Sequence, residues 1–206
     1  MAKIVCTIGV IGGGKDFTAK QFIKDAEAFN QNMIHLNFAD ELREMAWDIL
    51  GWRPLTDNDY ETFKQSSLIT DEKHRCATNI NFTGRQFLQR LGTDAIRKRD
   101  KNFWVKCWFD NALNAIDEGK RIACSDARFV NEIDAVLKMT HYNPIAKSTF
   151  VFCDYKSDRY DCTNPHPSEA LAQRVLKDGF KHGEMLPKEY LEKLIQDPEL
   201  RKIAGM

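Results

Sequence analysis

The chain has 206 residues, enough for one domain, or for one core carrying an insertion, around a substantial apolar centre. Lys+Arg and Asp+Glu both number 30, so the formal net charge is zero, which argues against a nucleic-acid polymer as ligand while leaving room for a local basic cleft. The six cysteines (Cys6, Cys76, Cys107, Cys124, Cys153, Cys162) show no Cys-x-x-Cys spacing and no apolar stretch reaches membrane-span length. Met-Ala-Lys leads directly into a strand pattern, so the expectation is a reduced, cytoplasmic protein without a membrane contact.

The apolar run Lys3 to Ile8 enters the turn Gly9-Val10-Ile11-Gly12-Gly13-Gly14 and reaches Lys15 just before Ala19, Phe22, Ile23 and Ala26, which recur at helical spacing. Glycines let backbone N–H groups converge on a phosphate, the helix start adds its positive end, and the lysine adds a point charge. Gly9-x4-Gly14-Lys15 has Walker A spacing, with Asp16 where Ser or Thr normally holds Mg²⁺. That spacing arises by chance in roughly one chain in twenty of this length, so its position between strand and helix carries the weight.

The helix is expected to run to about Phe29. Ile34, Leu36 and Phe38 alternate with His35 and Asn37 as a half-buried strand, expected at a sheet edge; Asp40 then opens a helix with Leu42, Met45, Ala46, Ile49 and Leu50 on one side, stopped by Gly51 and Pro54. Residues 55–82 are polar, weakly periodic and read as an insertion. Thr83 caps a helix from Gly84 to Leu91, and Phe103, Trp104, Val105, Trp108, Phe109, Ala112 and Ile116 form an amphipathic helix ending at Gly119. Arg121 to Asp126 and Ser148 to Asp154 read as buried strands. Asn131 begins a helix between them, and further helices start near Ser168 and at Lys188, the last running to the end. Strands alternating with helices imply α/β architecture, a parallel sheet with helices on both faces and ligands beyond the strand carboxyl ends.

Several residues could carry chemistry at those ends. Lys15 is a phosphate contact or a solvated helix-start lysine; Asp16 binds Mg²⁺ or caps its helix. Arg85, Gln89 and Gly92 share one helix face, spaced i, i+4, i+7, suiting a phosphorylated ligand or simply solvent. Asp126 could orient Mg²⁺ and Arg128 could grip a phosphate, or the two could pair structurally, with Glu132 placed to fix the guanidinium. Arg43 and Arg159 could contact phosphates or lie on the surface, and Ser168, beside His166, most simply caps a helix.

Gly14-Lys15-Asp16, Phe38 to Arg43, Arg85 to Arg97, Trp104-Val105, Ser125 to Glu132 and His166-Pro167-Ser168-Glu169 together resemble the phage-type deoxynucleoside monophosphate kinases of the P-loop superfamily. The resemblance implies a three-layer P-loop kinase fold: core 1–39 and 119–206, a helical acceptor-binding insertion over about 40–118, and a short lid over about 154–166. It implies ATP-dependent phosphoryl transfer to deoxynucleoside 5′-monophosphates, for nucleotide supply to DNA synthesis. ATP and Mg²⁺ would be the cofactors, a homodimer the suggested assembly, and the host cytoplasm the location if the gene is phage-borne. By position, Gly12, Gly13, Gly14, Lys15, Asp16, Phe17, Thr18 and Arg159 would bind ATP. Arg43, Arg85, Gln89, Gly92, Thr93, Trp104 and Arg128 would bind the acceptor. Lys15, Asp126, Arg128 and Glu132 would be catalytic, and Asp16 and Asp126 would serve the metal. Phe17 departs from the family's usual Thr, with Thr18 one position later. Two readings stay open beside this one: a kinase resembling dephospho-coenzyme A kinase, which needs a base to activate a hydroxyl, and a P-loop module that binds nucleotide only as a switch.

Overall fold

In the computed structural model, which describes residues 4–68, 82–142, 147–155 and 167–206, the first apolar run is strand β1 (Ile4–Gly9), buried along its whole length. Helix α1 (Lys15–Ala28) follows, then β2 (Met33–His35), β5 (Arg121–Cys124) and β6 (Ser148–Cys153) complete an all-parallel sheet in the order β2-β5-β1-β6. β2 is an edge strand, as its half-buried alternation implies, but it is short. After His35 the chain keeps one ladder bond, Leu36 N–H to Ala123 O at 2.9 Å, and then turns so that Asn37 and Phe38 face the end of β5.

Alternation along the strands decides the layers. Val5, Ala123 and Met33 point to one face and pack on Ala19 and Ala26 of α1. Ile4, Cys6, Ile8, Ile122, Cys124, Phe150 and Phe152 point to the other, against α5 (Phe103–Asp117), α6 (Val130–Tyr142), α7 (Ala170–Lys177), α8 (Lys188–Gln196) and α9 (Pro198–Ala204). This is the three-layer α/β fold with helices on both faces. The outer edge of β6 is covered by residues 183–186, which pair antiparallel with it: Gly183 N–H donates to Phe152 O at 2.8 Å and Leu186 N–H to Phe150 O at 2.8 Å. The C-terminal segment is two helices, not one. Asp197 caps α9 by accepting from Glu199 N and Leu200 N, and Pro198 supplies the preset first turn. Cys6, Cys124 and Cys153 are buried free thiols, and no helix among the described residues is long and apolar enough to cross a membrane.

The chain divides into two compact units, Ala39–Phe103 and the remainder. The boundary expected near 118 is therefore too late: Trp108, Ala112, Ala115 and Ile116 bury α5 in the main core. The second unit holds α2 (Asp40–Leu50), α3 (Asp57–Gln65), a β3–β4 pair (Ser67–Leu68 with Phe82–Thr83) and α4 (Gly84–Gln89). Its own core is Ala46, Trp47, Phe63 and Leu88. In α2, Trp47 takes the buried place expected of Ile49, which is 58% exposed. The stretch from 55 conceals α3, started by a capping box between Thr56 and Asp59. Residues 69–81 lie outside the described residues. Thr83 caps α4 reciprocally with Gln86, and Arg90–Arg97 continues as a π-helix.

Candidate active site

β1 delivers the glycine turn to the sheet's carboxyl end. Gly12 (φ 75°) takes the left-handed conformation with open space around it. Gly13 is constrained differently: a Cβ there would strike the carbonyl oxygen of Cys153 and lie 3.0 Å from Val10 O. The turn is closed by Gly13 N–H to Val10 O at 3.0 Å and docked to the end of β6 by Tyr155 N–H to Gly13 O at 3.1 Å. Gly14 is the N-cap residue of α1, and Lys15 is its first residue.

Lys15 is 9% exposed and donates from Nζ to Gly9 O and Val10 O, both at 2.7 Å. Burial, followed by the positive charge of Arg128, lowers its pKa from 10.5 to about 8; Glu169, Asp16 and Cys153 pull the other way. The lysine thus stands among Arg128, Glu169 and Asp16, which is no environment for a solvated surface lysine. Phe17 is 76% exposed, and the Thr18 hydroxyl receives the Cys153 thiol at 3.5 Å.

The carboxylate of Asp16 does not cap its own helix; it accepts from the Ser125 hydroxyl. Asp126, 7% exposed, accepts the Phe38 N–H on Oδ1 at 2.9 Å. Phe38 is fixed in turn by stacking on Trp108, ring centroids 4.6 Å apart, while Trp108 Nε1 donates to Leu36 O at 3.1 Å. Among the described residues no group of three or more His, Cys, Asp or Glu side chains is arranged to hold a metal unaided. A magnesium ion that keeps most of its waters and rides on nucleotide phosphates needs only one or two carboxylates, and Asp16 and Asp126 fit that requirement.

The turn after β5 holds Arg128. Its guanidinium Nη1 donates to Glu169 Oε1 at 2.7 Å, and Glu169 is 2% exposed with its second oxygen buried and unbonded. Glu132, expected beside that guanidinium, accepts instead from the backbone N–H groups of Arg128 (2.7 Å) and Phe129 (3.0 Å) at the entrance of α6. An N–H pair left open by the helix start is the nearer partner, so Glu132 holds the turn and Glu169 holds the side chain. Glu169, Ser125 and His35 receive no role from the sequence alone. Their signal was position: all three lie at or beyond strand ends, or within the resemblance motifs.

Lys15, Asp16, Asp126, Arg128 and Glu132 belong to the main unit, with Trp104, which is 3% exposed at the start of α5. Arg43, Arg85, Gln89, Gly92 and Thr93 belong to the second. There Arg43 pairs with Asp40 at 2.7 Å and lies over the Tyr60 ring, 5.4 Å from its centroid. Arg85, Gln89 and Thr93 are half-buried. Gly92 is buried, and a Cβ there would come within 2.7 Å of Leu42 Cδ2, the flexible end of that side chain. Arg159, His166 and the expected lid after Tyr155 lie outside the described residues.

The family model described as deoxynucleotide monophosphate kinase matches residues 40–169. A solved structure of a mutant of the Mycobacterium tuberculosis APS kinase CysC is similar at 16% identity and a TM-score of 0.38, over 85% of this chain and 96% of that one. No curated protein matches.

Proposed function

The chain belongs to the deoxynucleotide monophosphate kinase family, a family of nucleotide phosphotransferases, and we propose that it transfers the γ-phosphoryl group of ATP to deoxynucleoside 5′-monophosphates. The observation that carries this reading is the buried Lys15 on a glycine turn, within electrostatic reach of Arg128. A 5′-phosphate already bears about −1.5 to −2 charges at neutral pH, by analogy with phosphorylated side chains, so a strong base is unnecessary. The harder task is to hold two polyanions against their repulsion, and that calls for preorganised cations.

In this reading the turn amides and Lys15 bind the donor phosphates. Phosphate oxygens replace Gly9 O and Val10 O as partners of Nζ and favour its charged form. Arg128, aimed by Glu169, stabilises charge on the transferred group, and Glu132 keeps the turn that carries it in shape. Asp16 and Asp126 would hold the waters of Mg²⁺, which when bound neutralises charge on the phosphate oxygens. Arg43, Arg85, Gln89 and Thr93 of the second unit bind the acceptor. Arg85→Ala is expected to raise the KM for the monophosphate at least tenfold with the KM for ATP unchanged; equal changes in both would argue against the assignment. Supply of diphosphates for DNA synthesis is the role that follows.

A further inference from the structure

Ser125 Oγ has three neighbours within hydrogen-bond reach: Asp16 Oδ1, Asn37 Oδ1 at 3.1 Å and His35 Nε2 at 2.9 Å. A hydroxyl owns one proton and two lone pairs. Of the two acceptors, the Asp16 carboxylate is charged and the Asn37 amide oxygen is neutral, and charged acceptors make the stronger bond, so the Ser125 proton points to Asp16. Asn37 Oδ1 already receives Ser125 N–H at 2.8 Å. His35 Nε2 then faces a lone pair and must carry a hydrogen itself.

The outcome is a one-way series of donors: His35 Nε2–H to Ser125 Oγ, and Ser125 Oγ–H to Asp16 Oδ1. The sheet dictates this meeting. His35 lies opposite Ala123 in the β2–β5 ladder, two residues before Ser125, on the face that α1 covers. Ser125 is 2% exposed while Asp16 is exposed, so the series runs from the interior outward to the phosphate turn. Among the described residues no other hydrogen bond reaches the Asp16 carboxylate, which leaves Oδ2 open to a ligand.

We propose that His35 and Ser125 are positioning residues that lock Asp16 Oδ1 and aim Oδ2 at the hydrated metal carried by the donor nucleotide. This deepens the kinase reading and rests on it for the identity of the ligand. Groups that orient a metal-facing carboxylate typically change affinity by roughly 10- to 100-fold when removed.

The test uses the full chain, titrated calorimetrically with ATP in EDTA and with Mn²⁺·ATP. Ser125→Ala and His35→Phe are expected to weaken Mn²⁺·ATP by roughly 10-fold or more and to leave metal-free ATP unaffected. Ser125→Thr and His35→Gln, which keep the donors, are expected to retain wild-type binding of both. Long-range ¹H–¹⁵N correlations of the ligand-free wild type should place the His35 proton on Nε2. A proton on Nδ1 alone overturns the proposal, as does loss of both ATP forms alike in correctly folded Ser125→Ala. If the wild type binds both forms and the variants match it, the proposal alone falls. A wild type that binds neither form overturns the kinase reading and the proposal with it.

Discussion

Arg128 Nη1 and Glu169 Oε1, 41 positions apart in sequence, meet at 2.7 Å, the arginine about one-third exposed and the glutamate almost fully buried. Removing the arginine strands a buried carboxylate, so Arg128→Ala is expected to cost about 1–3 kcal/mol of unfolding free energy as well as turnover. Adding Glu169→Gln should recover most of the stability and none of the activity. Denaturant unfolding and kcat of the single and double variants check this; recovery of kcat in the double variant would place Arg128 outside the chemistry.

Lys15 makes stability and binding depend on alkaline pH. Its folded-state pKa of about 8 lies below the ordinary 10.5, so between those values the unfolded chain holds more protons than the folded one. Stability through this group therefore rises from pH 8 toward 10.5, and the cost of the buried ammonium is fully present below 8. The wild-type minus Lys15→Met difference in unfolding free energy should climb across that window; a flat difference contradicts the assignment. Phosphate oxygens restore the charge, so ATP binding at the upper end of the window should take up protons. This is read from the dependence of the calorimetric enthalpy on buffer ionisation.

The glycines of the turn should not be equivalent. Gly12→Ala meets no neighbour and carries only the strain of a positive φ, of order 1 kcal/mol. Gly13→Ala drives a methyl into backbone carbonyls of Cys153 and Val10, so the turn must open. Gly13→Ala should weaken ATP binding far more than Gly12→Ala, as measured by titration. Equal effects would mean that the end of β6 does not fix the turn.

Glu132 should behave as a structural acid. Glu132→Ala leaves two backbone N–H groups at the start of α6 without their acceptor, an expected loss of about 1–3 kcal/mol seen in thermal or denaturant unfolding. Activity should fall with the loosened Arg128 turn. An unchanged stability with abolished turnover would instead make Glu132 a catalytic group.

Much of this molecule is legible in its residues because local signals and burial agree. The run before Gly9 has nowhere to go but a central strand, and Thr83 with Gln86 announces its own helix start. What the sequence conceals depends on distant partners. Glu169 acquires meaning only when the turn entering α7 brings it to Arg128, and His35 looks like the polar half of an edge strand until β5 sets Ser125 beside it. Glu132 misled because spacing i, i+4 to Arg128 says nothing about which atom of that residue it meets. The π-helix from Arg90 follows from neither propensity nor period.

The most direct test of the account is ADP release by the purified chain, coupled to an optical readout, with ATP, Mg²⁺ and each of the four deoxynucleoside monophosphates in turn. Multiple turnovers with at least one of them, lost in Lys15→Met and in Arg128→Ala, is the predicted result. ATP bound tightly with no transfer to any of the four would contradict it.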